Sequence, residues 1–395
     1  MWIQRTISDR FSAVPDSLRL FPAWLLLGPR QVGKSSLLAH HAGPDRMTIS
    51  LDDIGVRQRA NQDPYLFAKS IRLPVTIDEI QYAPVLLSPL KQMIDSGQAK
   101  SGDIWLTGSQ NFEVMSGVQE SLAGRIAILN LFGLTDLEKN FAASDSPTFF
   151  ANILETGFPK IRGVTDVDAR SLYLSSYLTT YIERDVRELL GIEKRREFET
   201  FVKLCAFRTA QLVNYENLAS DSAINPATAK QWLSLLQDSF LLRILPPWHS
   251  NLNKRLIKTP KIHFCDAGIC AHLSGWTHAS QAGLGPMNGQ LFETHVVSNV
   301  LNHLKHRVVH ASAYFWRTKD GEEIDCLLDR NGEVTAIEVK MGSVDPSSLP
   351  VLSKTKIERL AKPGYVVSLT GGDEPVAITA EWSVVSLRGL LKLLG

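Results

Sequence analysis

The sequence is poor in cysteine, in long apolar runs and in excess charge of either sign. Its 395 residues include four cysteines, and the formal net charge is +1 at pH 7. The four cysteines do not form the two C-x-x-C pairs that are typical of a structural zinc site, which argues against such a site. The balanced charge gives no global attraction to nucleic acid or membranes, so any basic surface must be local. No window approaches the length of a membrane-spanning helix.

The composition is otherwise that of an ordinary globular protein. Hydrophobic residues make up 44% of the chain and charged residues 21%, which suits several domains that each bury a core. The N-terminal residues are followed by charges, so we expect no secretory signal. The cysteines lie in apolar surroundings, which indicates buried thiols in a reducing compartment. We therefore expect a cytoplasmic protein without a membrane partner.

A phosphate-binding pattern lies near the start of the chain. Residues 28–35 fit G-x-x-x-x-G-K-[ST] at every fixed position, between an apolar run and an amphipathic run. This context predicts a strand, a tight turn and a helix whose first N–H groups bind phosphate. Lys34 is expected to reach the β- and γ-phosphates, and the Ser35 hydroxyl to bind Mg²⁺. The nucleotide-binding residues predicted from the loop are Gly28, Pro29, Arg30, Gln31, Val32, Gly33, Lys34, Ser35 and Ser36.

An apolar strand that ends in two acids, Asp78 and Glu79, is the expected partner of this loop. Asp78 is predicted to hold Mg²⁺ and Glu79 to polarise the attacking water. Ser109 ends another predicted strand, where it either contacts the γ-phosphate or is a simple hydroxyl between strand and loop. Arg125 is either an arginine finger for the nucleotide of a neighbouring subunit or a surface arginine.

The middle of the chain turns to helical spacing. Residues 172–190 predict a long helix, and residues 198–245 resemble a winged helix-turn-helix pattern. The second helix of that pattern has few basic residues, so packing or oligomerisation is as plausible as DNA binding. A basic run follows, which is either a phosphate-contact strip or a solvated loop. Its members are Lys254, Arg255, Lys258 and Lys261.

A second group of acids lies in the last third of the chain. Asp325 and the triplet Glu338-Val339-Lys340 lie on predicted strands joined by a short turn. Glu338 and Lys340 are two residues apart, so both side chains face the same side of the strand. In the pattern D…E-x-K, the acids bind Mg²⁺ or Mn²⁺ and the lysine steadies the attacking hydroxide. Glu293 is a candidate third carboxylate, and a surface ion pair is the alternative interpretation.

Together these motifs resemble the P-loop ATPases of the AAA+ class whose C-terminal half is the domain of unknown function 4143. The resemblance covers nearly the whole chain and also rests on residues 51–53, 107–110, 121–125, 264–268, 289–293, 316–317 and 321–325. It implies that the C-terminal domain is similar to the PD-(D/E)XK nuclease fold of restriction enzymes and junction resolvases. Glu293, Asp325, Glu338 and Lys340 then occupy the matching catalytic positions.

We therefore predict an α/β protein with four domains. Residues 1–134 form a P-loop AAA+ core with a parallel sheet, and residues 135–194 a helical lid or connector. Residues 195–260 are winged-helix-like, and residues 261–395 form an α/β domain resembling restriction endonucleases.

Two functions fit this organisation. In the first, an ATP- and Mg²⁺-dependent ATPase is coupled to a metal-dependent nuclease that acts on DNA, including branched DNA in repair, recombination or defence. In the second, the protein is a nucleotide-dependent switch whose nuclease-like domain is a non-cleaving scaffold or protein-binding module. A homo-oligomer is expected if Arg125 acts in trans.

Overall fold

The computed structural model describes residues 2–109, 118, 122–143, 145–181, 194–248, 259–318, 320–355, 357 and 359–395. The predicted helical residues 182–190, the motif residues Gln110 and Ser121, and the basic residues Lys254, Arg255 and Lys258 lie outside them. The chain forms two compact units. The first comprises Met1–Phe132, Asp238–Phe240 and Lys305–Val308, and the second comprises Gly133–Gln237, Leu241–Leu304 and Val309–Gly395.

A parallel five-stranded sheet forms the first unit. Its strands are β1 (Ala23–Leu27), β2 (Met47–Ser50), β3 (Val75–Asp78), β4 (Ile104–Gly108) and β5 (Ile126–Asn130). They lie in the order β2-β3-β4-β1-β5. Every residue of β1 and β4 is buried, as expected for central strands of a sheet covered on both faces. The helices of this unit span Asp9–Ser12, Asp16–Arg19, Lys34–His41, Ile54–Gln62, Pro64–Lys69 and Leu87–Asp95.

Helices and a small antiparallel sheet follow in the second unit. The sheet has the order β6-β8-β7, with β6 (Gln211–Leu212), β7 (Leu242–Leu245) and β8 (Lys261–Phe264). The helices before β7 span Ser146–Leu154, Val167–Tyr181, Arg195–Phe207, Tyr215–Asp221 and Pro226–Asp238. The helices after β8 span Ala267–Leu273, Ala279–Leu284 and Asn288–His306. The winged-helix interpretation of this region stays a prediction.

The C-terminal part of the second unit is built on a six-stranded mixed sheet. Its order is β13-β14-β12-β11-β10-β9, and a final helix spans Leu387–Leu394. The strands are β9 (Ser312–Arg317), β10 (Glu323–Arg330), β11 (Glu333–Val339), β12 (Gly364–Val367), β13 (Val376–Ala377) and β14 (Trp382–Val385). Ile324, Leu327, Val366 and Trp382 lie in its core.

The turn between β10 and β11 fixes how these two strands pair. Arg330 pairs with Glu333, so the loop consists of Asn331 and Gly332 alone. Both residues have positive φ, at 54° and 87°, as a type I′ hairpin turn requires. The turn therefore sets the register of every side chain farther along the hairpin.

The predicted α/β architecture is confirmed at this level, with a parallel sheet first, helices in the middle and a sheet domain last. The four predicted domain boundaries stay predictions. None of the helices in the described part of the chain combines the length and hydropathy that a membrane crossing requires.

Candidate functional site

The predicted phosphate loop lies between β1 and the helix Lys34–His41. A Cβ added to Gly28 would lie 1.8 Å from the carbonyl oxygen of Leu131. Gly33 precedes the helix and has a φ of 96°, in the left-handed region. A larger residue would clash at the first position and would be strained at the second. Both glycines of the motif are therefore required by the shape of this turn.

Lys34 folds its side chain over the loop that precedes it. The residue is 5% exposed, and its Nζ donates to the carbonyl oxygens of Gly28 (2.9 Å) and Pro29 (3.0 Å). A carbonyl oxygen is a neutral acceptor, and a phosphate oxygen forms a stronger, charge-assisted hydrogen bond. An incoming phosphate can therefore replace these carbonyls.

Asp78 lies at the carboxyl end of β3, where it accepts hydrogen bonds from two hydroxyls. Ser35 Oγ lies 2.8 Å from Oδ1 and 2.9 Å from Oδ2, and Thr107 Oγ1 donates to Oδ1 at 2.5 Å. The three elements meet because β1, β3 and β4 are parallel, so their carboxyl ends lie at the same edge of the sheet. The structure thus brings together the two residues predicted to hold Mg²⁺ beside the loop.

Glu79 follows directly, in a left-handed backbone conformation with φ 60° and ψ 52°. Its N–H donates to Thr107 Oγ1 at 2.9 Å, and its carboxylate accepts from the Gln81 side-chain amide. The same amide lies 3.0 Å from Ser109 Oγ. Gln81 is 6% exposed, and no motif in the sequence identifies it as part of the site. The signal available was a glutamine in an apolar turn directly after the two acids.

The other predicted loop residues have different surroundings. Arg30 Nη2 donates to the Tyr82 hydroxyl at 3.2 Å. Val32 is buried, and its carbonyl accepts from Arg5 Nη1 at 2.9 Å, which ties the loop to the N-terminal segment. Gln31 and Ser36 are exposed. Lys34 and Ser35 thus provide the loop's side-chain contacts with the backbone carbonyls of Gly28 and Pro29 and with Asp78.

Arg125 lies away from the phosphate loop of the same chain. It directly precedes β5, and Ile126 pairs with Ala23 at the start of β1, whereas the loop follows the end of β1. Its guanidinium forms a two-point ion pair with Asp95, at 2.5 Å (Nε–Oδ1) and 3.2 Å (Nη2–Oδ2). A role as an arginine finger therefore requires another subunit and the opening of this pair.

The late acids converge on the β10–β11 hairpin. Because Cys326 pairs with Ile337, Asp325 lies across from Glu338. Asp325 Oδ2 accepts from the Val339 N–H at 2.9 Å, and Lys340 Nζ lies 2.7 Å from Glu338 Oε1. The structure thus brings together Asp325, Glu338 and Lys340, as the pattern D…E-x-K requires.

A second lysine, Lys261, lies inside the same acidic cluster. It is 3% exposed, and its Nζ lies 3.0 Å from Glu293 Oε1 and 3.6 Å from Asp325 Oδ1. It also pairs with Glu323. The interpretation of Lys261 as part of an exposed phosphate-contact strip or solvated loop was therefore wrong, because the side chain is buried among carboxylates. We define the acidic cluster as Lys261, Glu293, Glu323, Asp325, Glu338 and Lys340.

Burial dominates the electrostatics of this cluster. Burial and then the Asp325 charge raise the pKa of Glu293, whereas the Lys261 charge acts to lower it. Burial likewise raises the pKa of Asp325, and it raises that of Glu338 to about 8. Burial lowers the pKa of Lys261, but the charges of Glu293, Asp325 and Glu323 together raise it above its ordinary value. The lysine is therefore charged, and the carboxylates compete for its charge.

The residues of the cluster do not fit a divalent cation in this arrangement. A metal ion would need carboxylate oxygens that already face the Lys261 ammonium, because Nζ donates to Glu293 Oε1 and forms an ion pair with Asp325 Oδ1. Among the described residues, no group of three or more His, Cys, Asp or Glu side chains is arranged to hold a metal ion. The cluster is, as folded, a network of ion pairs.

Comparisons with known proteins divide the chain into three matched regions. Residues 21–138 match the AAA domain family, residues 146–280 a domain of unknown function, DUF8612, and residues 288–390 a domain of unknown function, DUF4143. Uncharacterized proteins of Mycobacterium bovis and Mycobacterium tuberculosis are each 27% identical over 358 residues, which cover 89% of this chain and 78% of each relative.

A crystal structure of a protein from Vibrio cholerae aligns with 94% of this chain and 97% of its own, at 12% identity and a TM-score of 0.21. The family matches agree with the motifs of the phosphate loop and of the C-terminal strands. The chain therefore contains an AAA domain at residues 21–138 and a DUF4143 domain at residues 288–390.

Proposed function

We propose that the protein binds and hydrolyses ATP, and that it works as a nucleotide-dependent switch whose DUF4143 domain is a non-cleaving scaffold or protein-binding module. The AAA domain supports ATPase activity. The observation that carries the switch is Lys261, whose buried ammonium lies among the acids that a nuclease needs for its metal.

The nucleotide would bind at the turn Gly28–Ser35. Lys34 would leave the carbonyls of Gly28 and Pro29 to bind the β- and γ-phosphates. Ser35 and Asp78 fit Mg²⁺, because a hydroxyl and a carboxylate already lie within 2.9 Å of each other there. Bound Mg²⁺ supplies charge neutralisation of the phosphates. Thr107 holds the Asp78 carboxylate in position from the neighbouring strand.

Glu79 is the proposed general base. It would accept a proton from the attacking water, while its left-handed backbone and the Gln81 amide hold the carboxylate in place. Ser109 is a proposed contact of the γ-phosphate. Its Oγ accepts from the Gln81 amide, and the same amide donates to the Glu79 carboxylate. Arg125 is a proposed finger in trans, which would make the active form a homo-oligomer.

A second candidate function is Mg²⁺-dependent cleavage of DNA by the DUF4143 domain. The observation that favours it is the convergence of Asp325, Glu338 and Lys340 on one hairpin. The proposed DNA surfaces are the winged-helix-like region and this domain.

Two assays on the full chain separate these functions. Lys34→Ala should abolish ATP binding or turnover, whereas Lys69→Ala, at an exposed helix end, should leave both intact. The wild type should cut neither linear nor four-way-junction DNA with Mg²⁺ while it hydrolyses ATP. Cutting that Lys340→Ala abolishes would establish the nuclease instead, and unchanged ATPase in Lys34→Ala would contradict the loop assignment.

A further inference from the structure

The Lys261 ammonium lies among carboxylates from two separate elements. Glu293 comes from the helix Asn288–His306, whereas Glu323 and Asp325 come from β10. Each of the three carboxylates forms an ion pair with Nζ, and the Phe315 ring lies 5.7 Å away. Nζ donates to Glu293 and Glu323, while Asp325 Oδ1 lies at ion-pair distance, 3.6 Å away.

Strand β8 fixes Lys261 from both sides. Lys261 pairs with Leu212 of β6 and with Leu245 of β7, in the central strand of the three-stranded sheet. Withdrawal of the ammonium would leave the surrounding carboxylates buried without their cation, which is costly. The lysine is therefore a fixed part of the fold of this unit.

The basic groups around the acidic cluster have other partners or are neutral, so Lys261 is the ammonium that pairs with Glu293 and Asp325. Lys340 pairs with Glu338 at 2.7 Å, and Arg317 pairs with Glu323 at 3.1 Å. His263 lies two residues beyond Lys261, with Nε2 3.8 Å from Glu293 Oε1. Burial and the Lys261 charge lower the pKa of His263 to about 3, so this imidazole is neutral and adds no charge.

We infer that the Lys261 ammonium is the resident cation of the acidic cluster, and that the DUF4143 domain gains a divalent-cation site only when this lysine is removed. This inference rests on the proposed non-cleaving role of the DUF4143 domain. It assigns to the Lys261 ammonium the place that a metal ion would take among the carboxylates. A divalent ion held between Glu293 and Asp325 would compete with Nζ for Glu293 Oε1 and Asp325 Oδ1 and would repel the ammonium, so the two cations are mutually exclusive there.

The experiment uses inorganic Mn²⁺ as the probe and the full chain carrying Asp78→Asn, which removes the ion site beside the phosphate loop. Lys261→Met keeps the length of the side chain and removes its charge. It should lower Tm by about 10 °C, because it leaves a buried cluster without its cation. Millimolar Mn²⁺ should restore most of that loss. The matched control is Lys340→Met, whose Tm should not respond to Mn²⁺ because Lys261 is still present.

Calorimetric titration gives the second readout. The protein with Lys261 intact should bind no Mn²⁺ at the cluster, and Lys261→Met should bind one ion, which the further change Glu293→Gln weakens. Stoichiometric Mn²⁺ binding with Lys261 in place, lost in Glu293→Gln, would overturn the inference. So would a folded Lys261→Met protein that binds no Mn²⁺. If Lys261→Met does not fold, the Mn²⁺ titration of the protein with Lys261 intact still tests the inference, because stoichiometric binding there would overturn it. None of these outcomes depends on ATPase activity.

Discussion

The phosphate loop and the acidic cluster contain the same kinds of groups but connect them differently. In the loop, Lys34 donates to two backbone carbonyls, and Asp78 accepts from two hydroxyls. In the cluster, Lys261 pairs directly with carboxylates. Neutral partners are replaced by a charged ligand at little cost, whereas a buried ion pair is costly to break. The groups of the phosphate loop can therefore exchange their partners for a ligand, whereas the charged groups of the acidic cluster are already paired with one another.

Glu79→Gln tests whether the loop region works as a catalytic site, and it carries the largest expected effect. Removal of a general base should lower kcat for ATP by about 10²–10⁴-fold. The affinity for ATP should change little, because Lys34 and the loop are untouched. Steady-state hydrolysis and nucleotide titration measure the two quantities. Glu216→Gln, an exposed glutamate in another helix, is the control. A loss of affinity as large as the loss in rate would show that Glu79 is not the base.

Gln81→Ala sharpens the assignment, because its amide is the group that holds Glu79. Loss of one such hydrogen bond should lower kcat by about tenfold with little change in KM. If Gln81 acts through Glu79, the same substitution in the Glu79→Gln background should have no further effect. Independent, additive losses in the double variant would mean that Gln81 only supports the local fold.

The sequence could predict the loop region because its determinants are local. Gly28, Gly33 and Lys34 lie within one turn, and the parallel strands bring Asp78 to the same edge. The meeting of Asp325 with Glu338 could also be predicted, because a two-residue turn at Asn331 sets the register.

Lys261 and Gln81 could not be placed in the same way. Lys261 lies on a strand of a different sheet, far from the acids along the chain, and in a run of basic residues that suggested exposure. Its role depends on tertiary packing that no short spacing encodes. Gln81 lies in a 3₁₀ turn, where sequence spacing does not show which way a side chain points.

Asp136 provides a third arrangement, a buried carboxylate whose partners favour its charge. It is 2% exposed, His295 Nε2 lies 2.8 Å from Oδ2, and Asn152 Nδ2 donates to Oδ1 at 2.8 Å. Burial acts to raise the pKa of Asp136, but His295, Lys139 and Asn152 together lower it below its ordinary 3.8. This is opposite to the carboxylates of the acidic cluster, which crowd one another.

A carboxyl whose pKa is lowered in the folded state adds stability above its unfolded pKa, and that stability is lost as pH falls through the folded value. Asp136→Asn should therefore lower Tm at neutral pH, and the difference from the wild type should narrow below the unfolded pKa of 3.8. Thermal unfolding of both proteins between about pH 3 and 7 measures this difference in Tm. Asp168→Asn, at an exposed position, is the control. A difference that stays constant over this range would mean that the Asp136 side chain contributes packing alone, and that His295 does not favour its charge.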